Sequence, residues 1–275
     1  MVKGTVMLQS GFMKGCRGHI LLQASTVPQS EHAVLILPPF AEEMNKSRHI
    51  ISQLMQQNKQ AGISSFMLDH YGTGDSEGDL DLATTDIWRQ DLQLLLAQLQ
   101  TAGFSRLSVV AIRFGAMQLF DLLNHQPLAL QLDKVVLWQP LLDISRFWLQ
   151  LYRLKITEQM ALGQKLTQAE LEQSLQQDNT LEIAGYPISK AFSESTRQLN
   201  IQPPAILATA SNCWFEISQL PNVAATTQKA VTHYQQSFPL SFQHISNAPF
   251  WNTQELATAD NLINATRQFL EPQHV

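Results

Sequence analysis

Compact apolar blocks alternate along this chain with longer stretches whose apolar positions recur every three to four residues. Residues 33–37, 63–68, 107–112 and 134–140 are the blocks, short and apolar on both parities, the pattern of strands covered on both faces. Between them, residues 45–61 carry Ile50, Leu54 and Met55 at helical spacing and stop at Gly62. Residues 84–102 carry Ile87, Asp91-Leu92, Leu95-Leu96 and Leu99 and stop at Gly103. A third helical stretch, 114–125, follows the block at 107–112. Strands joined by helical crossovers are parallel, so this alternation predicts a parallel sheet. Residues 3–9 and 18–25 read as two strands joined by a Gly-containing turn, an antiparallel start.

The alternation breaks at Leu141. From 141 to 200 the pattern holds no core strand: Phe147, Leu151, Leu154 and Ile156 mark a helix, and Thr167-Gln168-Ala169-Glu170 is a capping box opening another. Residues 181–187 form a short extended piece. The sheet resumes at 205–210, followed by a helix at 223–232, a strand at 240–245 and a helix at 253–270. The expected architecture is α/β: an eight-stranded, mostly parallel sheet with helices on both faces. Residues 1–140 and 201–275 form its core, and 141–200 a helical lid between the sixth and seventh strands.

The formal net charge of −5 leaves no cationic footprint for nucleic acid or an anionic membrane surface. No apolar run reaches the roughly 18 residues a membrane span needs. Met1-Val2-Lys3-Gly4-Thr5-Val6 lacks the apolar core of a signal peptide. Cys16 and Cys213 form no C-x-x-C pair and read as two reduced thiols of a cytoplasmic protein. The scattered His residues predict no metal. Gly72-Thr73-Gly74 lacks both the Walker ending and a third dinucleotide glycine, so no nucleotide cofactor is expected.

Val109-Val110-Ala111-Ile112-Arg113-Phe114-Gly115-Ala116-Met117 passes from a β-branched strand through a small-residue turn into a helix. It sits where the α/β-hydrolase superfamily carries its nucleophile elbow, G-x-S-x-G. Ala111 stands for the first glycine, and Arg113 stands at the nucleophile. The order of elements, lid included, resembles that fold over nearly the whole chain. Local words narrow the resemblance: Pro38-Pro39-Phe40-Ala41-Glu42-Glu43-Met44-Asn45-Lys46-Ser47-Arg48, Gly72-Thr73-Gly74-Asp75-Ser76, Trp138-Gln139-Pro140, Ile183-Ala184-Gly185-Tyr186 and Pro249-Phe250-Trp251. Together they are similar to the exosortase A system-associated hydrolase 2 family. That resemblance implies a bacterial hydrolase linked to exopolysaccharide production and exosortase protein sorting, with no known substrate.

The superfamily pattern brings three groups to the C-terminal edge of the sheet. All three positions depart from it here. A guanidinium is always protonated and cannot attack a carbonyl, so Arg113 is no nucleophile. The acid belongs around Ala210-Ser211-Asn212-Cys213, where there is no carboxylate; Glu216 is the nearest. The His belongs in Ser246-Asn247-Ala248-Pro249-Phe250-Trp251, where there is none. The backbone N–H groups of Phe114 and of Phe40 or Ala41 still form an oxyanion-hole geometry beside the Arg113 charge. Arg113 then either holds an anionic ligand group or pairs internally with Glu42, Glu43 or Asp69, since a buried Arg needs a partner. Glu42 and Glu43 are either first-turn acids of a helix capped by Asn45, or a general base and the Arg113 partner. His70 is the best-placed imidazole for proton transfer, against a structural role in its loop. Asp75-Ser76 fastens the turn, and Cys213 is buried and inert. Trp138, Phe250 and Trp251, with Asn212 in the acid loop, line a pocket, or the aromatics pack as core.

Two functions follow. One is a hydrolase of ester, thioester or related acyl bonds, using water activated by Glu43, Glu42 or His70 with Arg113 as electrophilic stabiliser. The other is an inactive hydrolase-fold protein that binds an anionic or lipid- or glycan-linked ligand, or a partner. A homodimer is left open.

Overall fold

The structure is a computed structural model that describes residues 8–253 and 257–271. Eight strands form one sheet in the order β1-β2-β4-β3-β5-β6-β9-β10. They are β1 (Gly11–Lys14), β2 (His19–Ser25), β3 (His32–Leu37), β4 (Ser64–Leu68), β5 (Arg106–Ile112), β6 (Gln131–Trp138), β9 (Ser211–Ser218) and β10 (Ser241–Ser246). β2 pairs antiparallel with β1 and β4; from β4 across to β10 every pairing is parallel. This is the eight-stranded, mostly parallel sheet expected of the α/β-hydrolase fold.

The strand parity decides which helix covers which face. Leu35 and Leu37 of β3, Val109 and Ala111 of β5, and Leu137 of β6 pack with helices α2 (Thr85–Thr101), α3 (Gly115–His125) and α7 (Ala225–Gln235). Val34, Ile36, Val110, Ile112 and Val136 point the other way and pack with α1 (Glu42–Gln60) and α8 (Asp260–Leu270). Full burial on both faces explains why these strands read as continuous apolar runs.

Residues 141–200 carry helices α4 (Ile144–Ala161), α5 (Gln168–Asp178) and α6 (Lys190–Arg197), with a small hairpin of β7 (Thr180–Ile183) and β8 (Tyr186–Ser189). The hairpin turns on Ala184 and Gly185, both at positive φ (50° and 81°), the type I′ geometry that two-residue hairpins favour. The Thr167–Glu170 capping box is formed in both directions. A third apolar cluster fastens this segment to the sheet's C-terminal edge: Phe147, Trp148, Tyr152 and Phe192 pack with Phe40, Trp88 and Phe114.

The strand expected at 3–9 lies largely outside the described residues, whose first strand is β1, at 11–14. Three expectations need correction. The strand expected at 205–210 is a 3₁₀ turn, Ala205–Thr209, and β9 starts at Ser211. Pro204 fixes the backbone before that turn and its alanines have little strand preference, whereas Cys213-Trp214-Phe215 and Ile217 suit a pleated, buried strand. The last helix starts at Asp260, not at 253; 254–256 lie outside the described residues. Ala41, not Asn45, precedes the first helical residue of α1.

Candidate functional site

Three neighbouring strands, β3, β5 and β6, run into non-glycine residues at positive φ, with Gln139 after β6 at 42°. Ala41, four residues beyond β3, has φ 53°, and Arg113, directly after β5, has φ 53°. Such backbone is strained for an L-residue and collects at functional sites. At Arg113 neighbours hold it: its N–H donates to the Trp138 carbonyl (3.0 Å), and its carbonyl accepts from Leu141 (3.1 Å) and Ala116 (3.1 Å). The turn works only because residue 115 is glycine, since a Cβ there would lie 2.2 Å from the Leu37 carbonyl oxygen. This is the strand–turn–helix of a nucleophile elbow, with an arginine at its tip. Among the described residues, the backbone N–H groups of Phe40, Ala41 and Phe114 donate to no acceptor.

The Arg113 side chain is 9% exposed. Nε donates to Glu43 Oε2 (3.2 Å) and Nη2 to Glu43 Oε1 (3.0 Å), a two-point pair reaching from the first turn of α1. Nη2 also donates to Gln150 Oε1 on α4 (3.0 Å). Trp251 lays its ring over the guanidinium, centroid to Cζ 5.0 Å. Of the three acids weighed as partners, Glu43 is the one engaged. Asp69 takes both ends of Arg48 (3.1 and 3.0 Å), and Glu42 accepts from Tyr186 Oη (3.2 Å) and Asn45 (3.4 Å).

Arg113 and Glu43 line a cavity of about 520 Å³ between the sheet edge and residues 141–200. Phe147, Leu151, Leu154 and Ile183 form its apolar roof; Ile217, Pro249 and Trp251 close the side below β9 and β10. Arg153 adds positive charge, Lys46 faces Glu42 on the same lining at 4.0 Å, and Gln139 is held by Glu216 (3.1 Å). Gln150, Gln139, Lys46, Arg153 and Tyr186 were missed in the sequence. Gln150 had a signal: it is the polar residue on the α4 stripe Phe147, Leu151, Leu154.

The structure does not bring His70 to this cavity. His70 is buried, stacked on Trp88 (4.7 Å between centroids), with Nε2 2.9 Å from Gln118 Nε2. Burial pushes its pKa down to about 4, so it is neutral near pH 7. It borders a second cavity, together with Phe40, Ala41 and Phe114.

Three expected ligand contacts are corrected. Asn212 sits at the start of β9, paired with Val135, at the opposite edge of the sheet. It donates to the carbonyls of Leu207, Ala210 and Pro239. The acid loop was misplaced because β9 was expected six residues too early. Trp138 is fully buried with Nε1 on Thr266 Oγ1 (2.9 Å), and Phe250 packs edge-on against it behind Trp251. These two are core; Trp251 alone of the three aromatics faces the cavity. Ser76 fastens its loop, accepting from Leu21 N–H (2.8 Å) and donating to the Asp69 carbonyl (2.6 Å). Cys213 is buried, its thiol pushed up to about 11 by burial. Glu216, buried in β9, accepts from Gln139, Trp214 and Thr227, all uncharged donors. Among the described residues no group of three or more His, Cys, Asp or Glu is placed to hold a metal ion, and no helix is long and apolar enough to cross a membrane.

No curated protein matches the chain by sequence. Solved structures match its fold. Est1E from Butyrivibrio proteoclasticus with ferulic acid bound superposes with TM-score 0.66 at 11% identity, covering 95% of this chain and 98% of that one. Alpha/beta hydrolase domain-containing protein 10 from mouse gives TM-score 0.58 at 10% identity, covering 95% and 98%. Proline iminopeptidase from Mycobacterium smegmatis gives 0.55 at 13%, covering 95% and 97%. At these identities the likeness is one of fold, the α/β-hydrolase fold. The sequence itself carries more: residues 28–196, from the approach to β3 through the elbow to α6, match the family model described as Serine aminopeptidase, S33, and the chain belongs to that family.

Proposed function

We propose that this protein binds an amphipathic small molecule with an anionic head group in the Arg113 cavity, with residues 141–200 as its lid, and that it lacks serine-type hydrolysis. The observation that carries this reading is the engagement of Arg113: the residue at the elbow tip is a cation tied to Glu43, Gln150 and Trp251. A guanidinium has no lone pair for attack. Both Glu43 oxygens face Arg113, so the nearest carboxylate is occupied as well. The apolar roof suits a hydrocarbon or aryl body, and Arg153 and the free N–H groups of Phe40 and Ala41 suit an anion. An incoming carboxylate exchanges with Glu43 on the guanidinium. Est1E, of the same fold, holds ferulic acid, itself a carboxylic acid. The resemblance to the exosortase A system-associated hydrolases directs the search to lipid- or glycan-linked acids of a bacterial cytoplasm.

Family membership favours a second reading, hydrolysis by water. Glu43, released from Arg113, takes a proton from water. The oxygen of that water attacks the acyl carbon, and Arg113 with the N–H of Ala41 stabilises the oxyanion. As it collapses the ester or thioester bond breaks, the leaving alcohol or thiol takes the proton back from Glu43, and the carboxylic acid is released.

The test is calorimetric titration with decanoate and decanol, beside turnover of a panel of acyl esters and thioesters. The binding reading expects decanoate to bind, decanol and Arg113→Ala to lose most of that affinity, and no ester to turn over. Turnover that disappears in Glu43→Gln establishes the hydrolytic reading instead.

A further inference from the structure

A second cavity of about 430 Å³ lies beside the Arg113 cavity, and Phe40, Ala41 and Tyr186 border both. Its size is that of a small-molecule site. Phe40, Leu80, Trp88 and Phe114 give it apolar walls. Three polar side chains on its lining are more than nine-tenths buried: Asp69 at 1%, which Arg48 engages, His70 at 5% and Gln118 at 6% exposure.

The His70 ring is fixed by its stack on Trp88 and by the contact of Nε2 with Gln118. Its Nδ1 is buried and has no hydrogen-bond partner among the described residues. Native proteins seldom leave such an atom unpaired, because the lost hydration is not returned. The free amide atom of Gln118 makes no hydrogen bond among the described residues either. The two free atoms are complementary whichever way the amide is turned. If Gln118 donates to Nε2, then Nδ1–H is a donor and Gln118 Oε1 an acceptor. If the amide is reversed, Nδ1 is the acceptor and the Gln118 NH₂ the donor.

The charges around the cavity argue for an uncharged occupant. Arg48 is held by Asp69 at both nitrogens, so that pair has no free charge. Asp75, exposed at the lining, repels an anion. Burial keeps His70 neutral near pH 7. We infer that this cavity is a second ligand site, distinct from the Arg113 cavity, for a small uncharged molecule with a flat apolar body and an amide-like group that both donates and accepts at His70 and Gln118. The site does not depend on which reading of Arg113 holds.

The probe is benzamide, compared with benzoate and benzylamine of the same size. Benzamide at ten times its dissociation constant is expected to raise the melting temperature by about 3 °C. Intermolecular NOEs from its ring are expected at the Trp88 indole. Benzoate and benzylamine give neither. Gln118→Leu and His70→Phe each weaken benzamide at least tenfold, while Arg113→Ala retains the shift. If a variant does not fold, the NOEs on the wild type decide. No response to benzamide means a cavity that holds water alone and overturns the site. So do an equal response to benzoate and NOEs at Trp251 in place of Trp88.

Discussion

Arg113 and Glu43, seventy residues apart, meet in a two-point ion pair across the ends of β3 and β5, with the Trp251 ring stacked over the cation. A buried cation of this kind is held by its partner more than it is stabilised in absolute terms. Removing one member leaves the other without its counter-charge. Glu43→Leu is expected to lose about 2–3 kcal/mol, below the roughly 3–5 kcal/mol of a fully buried pair because the Glu43 side chain is 25% exposed. Arg113→Met is expected to lose a similar amount. The double variant should lose less than the sum by at least about 1 kcal/mol, because neither charge is then stranded. Urea denaturation of the four proteins measures the cycle. An additive result would mean that the two side chains act independently and that the pair does not hold the elbow.

Gly115 is the second test of the elbow. The first residue of α3 passes so close to β3 that a Cβ would meet the Leu37 carbonyl oxygen at 2.2 Å and its carbon at 2.8 Å. Both are backbone atoms in the centre of the sheet and cannot turn aside. Gly115→Ala is therefore expected to cost about 3 kcal/mol by forcing α3 off the sheet. Gly103→Ala is the control: a Cβ there meets nothing within 4 Å, and the cost is the positive φ of 97° alone, about 1 kcal/mol. Melting curves of the two variants should separate clearly. Equal losses would show that the strand and helix can part locally without strain.

The sheet was legible because its strands are buried on both faces, so each block from 33–37 to 134–140 shows in the hydrophobic pattern. The elbow was legible because its glycine and its strand–helix junction are local features. The acid loop was not. Residues 205–210 look like a strand by hydrophobicity alone, and the error carried Asn212 to the wrong edge. Trp138, Phe250 and Trp251 look alike in sequence; only the turn after β10 separates the one that meets Arg113 from the two that pack inside. His70 and Arg113 follow β4 and β5, the two strands that flank β3, yet they lie in different cavities on either side of the Phe40–Ala41 turn that follows β3. That division rests on a positive φ at an alanine, which no sequence rule anticipates.

Two buried imidazoles make stability fall in acid. Burial lowers His70 from its ordinary 6.5 to about 4. It lowers His32, whose Nε2 lies 2.7 Å from Ser108 Oγ, to about 4 as well, with Arg106 acting in the same direction. With a folded pKa below the unfolded one, the unfolded chain binds more protons between these values. Stability is therefore full above about pH 6.5, falls as the pH drops toward 4, and levels off below that, as far as these groups are concerned. At about pH 4.5 each contributes a loss of about 2–3 kcal/mol relative to pH 7. Carboxylates that titrate in the same range add to the total, so the comparison is with variants. His70→Gln and His32→Asn should each show a smaller drop between pH 7 and 4.5 than the wild type, by about 2 kcal/mol, in urea denaturation at the two pH values. An undiminished drop in His70→Gln would mean that its imidazole becomes charged in the folded state, with Nδ1–H finding an acceptor as the ring protonates.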